Sequence, residues 1–102
     1  MNPSIDVAPE DLQTIIEITK RIIPSCKIAA FGSRVTGKAR KHSDLDLVIL
    51  TDETLNFDTY AALKTAFSES DLPFKVDVVD WADIDNNFRE VIAKQMVMLP
   101  QE

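Results

Sequence analysis

From Pro9 onward the apolar positions Leu12, Ile15, Ile16, Ile18, Ile22 and Ile23 recur mainly at helical spacing. Glu10, Asp11 and Glu17 come early in this stretch and Lys20 and Arg21 late, which complements a helix dipole. A first helix is therefore predicted, ending before Pro24. Lys27-Ile28-Ala29-Ala30-Phe31 is a short apolar run closed by Gly32, as expected of a buried strand entering a tight turn. Gly32-Ser33 then reads as a junction from strand to helix. Arg34 to His42 is polar and basic, and Asp44-Leu45-Asp46-Leu47-Val48-Ile49-Leu50 reads as a second strand with its carboxylates at the beginning.

Asn56 or Asp58 is placed to cap a helix carrying Tyr60, Leu63, Lys64 and Phe67, which Ser68 to Pro73 would break. A third strand is expected from Phe74 to Asp80. Ile84, Phe88, Val91, Ile92 and Gln95 mark a last helix starting near Asp83 or Asp85, after which the chain is expected to fray toward Pro100. This alternation predicts an α/β (α+β) layer structure, with a mixed sheet of at least three strands flanked by about four helices. At 102 residues and 45% hydrophobic content, the expectation is one domain over 1–102, without room for a second substrate domain.

Charge narrows the functions. A net charge of −6 and a pI near 4.7 argue against sequence-independent adhesion to nucleic acid or anionic membrane. Cys26 has no second cysteine to pair with, no apolar leader follows Met1, and no apolar run approaches the roughly 20 residues that span a bilayer. A soluble, cytoplasmic protein is expected. Within this acidic chain Arg34, Lys38, Arg40 and Lys41 cluster beside Gly32-Ser33, concentrating positive potential there.

In a strand, side chains alternate between faces, so Asp44 and Asp46 point the same way and Leu45 and Leu47 the other. Two adjacent anions repel unless a cation offsets them, and hard oxygen ligands select Mg²⁺ or Mn²⁺. Asp77 lies in another apolar strand, where a place beside the first pair would account for it. The set suits two-metal phosphoryl chemistry, with Asp44 and Asp46 on both ions and Asp77 either on the nucleophile-side ion or acting as its base. Asp80 falls on the opposite face from Asp77 and reads as a strand-end residue. Gly32 permits close backbone approach to a ligand, and Ser33 offers a hydroxyl at the junction, which together make a triphosphate cradle.

Other patterns fall away. Gly32 to Ala39 nearly matches a P-loop, but Ala39 stands where the magnesium-binding hydroxyl is required, and a strand rather than a long helix follows. Asp83-x-Asp85-x-Asn87 resembles the start of a calcium loop, but Phe88 occupies the glycine position, so helix capping is expected. His42 reads as an exposed loop residue. Trp81 and Phe88 read as core or interface aromatics, and Val97, Met98 and Leu99 as a surface for pairing or for packing of the chain end.

Gly32-Ser33, then Gly37, then Ser43-Asp44-Leu45-Asp46-Leu47, with Asp77 on a later strand, resembles the signature of the DNA polymerase beta-like nucleotidyltransferases. The short chain is similar to the minimal nucleotidyltransferases within that superfamily. The resemblance implies nucleotide binding by Gly32, Ser33 and Ser43, and two magnesium ions, with Mn²⁺ as a substitute, held by the catalytic Asp44, Asp46 and Asp77. It implies transfer of a nucleoside monophosphate, AMP from ATP before other NTPs, to a hydroxyl acceptor. Minimal nucleotidyltransferases are often paired with a HEPN toxin, which implies an antitoxin that modifies a tyrosine of such a partner, with self-association also open. The alternative is a non-catalytic nucleotide-binding protein that neutralises or scaffolds a HEPN protein by masking it.

Overall fold

The computed structural model describes residues 5–100. Its elements run α1 (Pro9–Ile22), β1 (Lys27–Phe31), α2 (Ser33–Thr36), β2 (Leu45–Leu50), α3 (Phe57–Ser68), β3 (Val76–Asp80), a 3-10 turn (Trp81–Asp83), α4 (Asn86–Ala93) and β4 (Val97–Met98). Helix α1 opens on Pro9, where a missing N–H has no intrahelical partner to lose. Of the two candidate caps for α3, Asn56 takes the role, its side-chain oxygen accepting from Thr59 N–H at 2.8 Å. Asp85 caps α4 in the same way, accepting from Phe88 N–H at 2.8 Å.

The sheet has four strands in the order β3-β2-β1-β4. β1 is antiparallel to both β2 and β4, whereas β2 and β3 are parallel. A parallel pair needs a crossover, and α3 supplies it between β2 and β3. The strand alternation separates two apolar layers. Ile28, Ala30, Leu45, Leu47, Ile49 and Val78 face α1 and α3, joining Ile15, Ile18, Leu63 and Phe67. Ala29, Phe31 and Val48 face the other way and pack with Ile92 of α4, beside Leu50, Val79, Trp81, Ile84 and Met96. Tyr60 joins α3 to β3 by donating its hydroxyl to the Val78 carbonyl at 2.8 Å.

Three expectations are corrected at the edges of elements. The second strand begins at Leu45, so Asp44 lies in the turn before it. The third begins at Val76 rather than Phe74; Phe74 instead packs beneath the guanidinium of Arg34, 4.4 Å from the ring centroid to Cζ. The chain also does not fray after α4. Ala29 and Ala30 pair with Met98 and Val97, and Leu99 N–H donates to the Ile28 carbonyl at 2.9 Å. The free edge of β1 and the apolar layer beside α1 together capture this segment, leaving Leu99 buried.

Candidate active site

The strand directions bring one end of β1 to the beginnings of β2 and β3. Phe31, the last residue of β1, pairs with Asp46, and Asp46 pairs with Asp77. Register partners share a face, so both carboxylates leave the sheet on the side that carries Val48 and Val79 two residues further on. Asp44 is exposed in the preceding turn and still near enough to act on Asp46. Burial first, then the Asp77 and Asp44 carboxylates, raise the Asp46 carboxyl above its ordinary value.

Gly32 closes the site from the β1 end. Its φ of 82° and ψ of −158° lie in the region that favours glycine, and a Cβ built there would collide with the Asp46 carboxylate. Backbone conformation and space thus both demand glycine at this position. Ser33 begins α2 directly after it. The Gly32 N–H donates to Oε1 of Gln95 at 2.5 Å. Gln95 enters the sequence pattern only as a continuation of the last helix; its distance along the chain from Gly32 leaves no local signal of this contact.

Ser43 is half-buried in the turn before Asp44, where its hydroxyl accepts from Arg40 N–H at 2.8 Å. Its carbonyl accepts from Nε and Nη2 of Arg34 at 2.9 and 2.7 Å. Arg34 also donates to the carbonyls of Asp6 and Lys41, at 2.7 and 3.3 Å. Buried and committed to backbone oxygens, Arg34 braces the turn that presents Asp44, while Lys38, Arg40 and Lys41 stay exposed. Lys75 lies 3.5 Å from an Asp77 oxygen, both side chains well exposed, so this pair supplies little stability.

Asp80 is the last residue of β3, the strand-end position expected for it. It accepts from the Thr51 hydroxyl, from Leu55 N–H at 2.7 Å and from Ala82 N–H at 3.2 Å, tying the β2–α3 loop to the 3-10 turn. Among the described residues, no group of three or more His, Cys, Asp or Glu side chains closes into a ready-made metal site. The three aspartates form an open, mutually repelling set. No helix among the described residues is long and apolar enough to cross a membrane.

Residues 12–102 match the family described as Polymerase beta, Nucleotidyltransferase. The chain belongs to this nucleotidyltransferase family. It is 46% identical over 98 residues to the "Probable protein adenylyltransferase MntA" of Haemophilus influenzae, a match covering 96% of this chain and 86% of that protein. A shorter similarity, 44% over 50 residues, links 49% of the chain to 12% of the "Terminal uridylyltransferase cid1" of Schizosaccharomyces pombe. Among solved structures, a toxin-antitoxin complex with AMP-PNP matches with a TM-score of 0.74 at 26% identity, covering 89% of this chain and 73% of that one. The complex of a tri-AMPylated Shewanella oneidensis HEPN toxin with its MNT antitoxin shares the fold, with a TM-score of 0.66 at 23% identity over 91% of this chain and 71% of that one. The four helices and mixed four-stranded sheet are thus the nucleotidyltransferase fold.

Proposed function

We propose that this nucleotidyltransferase moves AMP from ATP to a hydroxyl group, a tyrosine of a HEPN-family partner, and so acts as an antitoxin. The observation that carries the chemistry is the register of Asp46 with Asp77, with Asp44 close by and Gly32 leaving no room for a Cβ against Asp46. The choice of nucleotide and acceptor is supported by the 46% identity to a protein named as an adenylyltransferase. The similarity to a HEPN toxin–antitoxin complex supports the partner. The lone Cys26, half-buried and free, suits a reducing compartment, the cytoplasm.

Burial first, and then the adjacent Asp77 and Asp44 charges, raise the Asp46 carboxyl. The register of Asp46 with Asp77, with Asp44 beside them, offers the hard oxygen donors that suit a divalent cation. Asp44 and Asp46 would hold Mg²⁺, or Mn²⁺, at two positions, with Asp77 on the hydroxyl side. When bound, the metal supplies charge neutralisation for the triphosphate and acidifies the attacking hydroxyl. Gly32, Ser33 and Ser43 line the triphosphate side. In the reaction the hydroxyl oxygen forms a bond to the α-phosphorus, the bond to pyrophosphate breaks, and the hydroxyl proton leaves toward the Asp77 side. The aspartate set is open, so these carboxylates would hold the cation while leaving it accessible to the triphosphate.

The test is to incubate the chain with its genomic neighbour, Mg²⁺ and each labelled NTP in turn, and to measure the intact mass of the neighbour. Addition of AMP, lost in Asp46→Ala, is the expected result. If no NTP yields an adduct while Asp46→Ala still binds and silences the neighbour, masking replaces catalysis as the function.

A further inference from the structure

Gln95 occupies the turn between α4 and β4, where its own N–H and that of Met96 donate to the Ile92 carbonyl at 3.0 and 2.9 Å. From this turn its side chain reaches 63 residues back to accept the Gly32 N–H at 2.5 Å. Phe88, in α4 itself, packs edge-on against Phe31, with ring centroids 5.9 Å apart and planes at 82°. Consecutive residues at the end of β1 are thereby held by the carboxy-terminal segment, one through a ring and one through a backbone amide. Both adjoin Asp46. Phe31 is its register partner, and Gly32 is the position where a Cβ would strike its carboxylate.

From this geometry we infer that Gln95 is a positioning residue for the nucleotide. By holding the Gly32 N–H it fixes the Phe31–Gly32 peptide, and with it the separation between the Gly32-Ser33 turn and the Asp46 carboxylate. Packed against each other, the two form one wall, and the triphosphate and its cation sit against it under the function proposed above, on which this inference rests. Glycine at position 32 makes the anchor necessary, because its backbone has no side chain of its own to restrict it. The turn needs an external acceptor to stay in one conformation, and Gln95 provides it.

The experiment compares wild type with Gln95→Met, which keeps length and packing but loses the acceptor, and with Gln95→Glu, which keeps an acceptor. Hydrogen exchange of the Gly32 amide should speed up about 5-fold or more in Gln95→Met, as expected for loss of one hydrogen bond, and should remain slow in Gln95→Glu. In AMP transfer to the partner, Gln95→Met should raise the KM for ATP about 5-fold, with kcat and melting temperature close to wild type. An unchanged Gly32 exchange rate in Gln95→Met overturns the inference. So does an active wild type whose KM is matched by Gln95→Met, including the case in which only the melting temperature falls. A wild type that neither binds ATP nor transfers AMP removes the proposed function and this inference with it.

Discussion

Asp46 and Asp77 are direct register partners across the parallel β2–β3 pair, so the sheet itself sets two carboxylates side by side on one face. Burial and the neighbouring Asp77 and Asp44 charges raise the Asp46 carboxyl. A raised folded-state value means that the folded chain holds this proton more tightly than the unfolded chain does. The associated stability is present at low pH and is lost as pH rises through the raised value. Asp46→Asn removes that loss. In metal-free buffer at pH 7 its melting temperature should exceed that of wild type, and the gap should close below the ordinary carboxylate value of 3.8. Adding millimolar Mg²⁺ with ATP should raise the wild-type melting temperature and leave the variant's unchanged. Equal melting curves at pH 7 without metal would refute the argument that burial and neighbouring charge together penalise the Asp46 carboxylate.

Gly32 and Gly37 both have positive φ, 82° and 80°, but only Gly32 is crowded. Alanine at Gly37 meets open space and should cost about 1 kcal/mol from backbone strain alone. Alanine at Gly32 adds a collision with the Asp46 carboxylate and should cost roughly 3 kcal/mol or more. Shortening the obstacle with Asp46→Ala should recover part of that loss. Urea denaturation of both single variants and the double variant measures the coupling, and strict additivity would show that the carboxylate is not the obstacle.

Much of this site can be read from the chain because its parts are local. Strand alternation places Asp46 opposite Leu45 and Leu47, and the Gly32-Ser33 junction follows directly from the apolar run that ends at Phe31. Asp77 is harder to place, since nothing in its neighbourhood says which strand it lies beside; the crossover through α3 puts it in register with Asp46. Gln95 and Leu99 are harder still. A glutamine just beyond a helix and an apolar pair near a chain end look ordinary in sequence, and their roles come from contacts with Gly32 and Ile28 far back in the chain. Arg34 lies in a run of basic residues that suggests phosphate binding, yet its guanidinium is spent on carbonyl oxygens.

That distinction separates Arg34 from its basic neighbours in a measurable way. Arg34→Lys keeps the charge but loses the planar fork that reaches Asp6 and Ser43 together. It should destabilise the fold by about 2 kcal/mol, as for loss of hydrogen bonds to a charged group. Lys38→Ala, on an exposed residue, should leave stability within about 0.5 kcal/mol of wild type. Denaturant midpoints test both, and equal stability of Arg34→Lys and wild type would return Arg34 to the phosphate-binding candidates.

Leu99 tests whether the carboxy-terminal segment belongs to the fold. It is only 5% exposed, packs with the apolar layer beneath α1 and continues the β4 contact by donating its N–H to Ile28. Truncation to alanine removes buried methyl groups and should cost about 2–4 kcal/mol. Met98, the preceding residue and the last of β4, is 42% exposed and should tolerate alanine with a loss below about 1 kcal/mol. The contrast between adjacent residues matters more than either value. A fraying end would make both substitutions nearly neutral, whereas a paired strand makes them differ by roughly the energy of one buried side chain. Because Gln95 stands just before this strand, Leu99→Ala should also speed hydrogen exchange at the Gly32 amide, carrying a loss at the chain end back to the wall of the site.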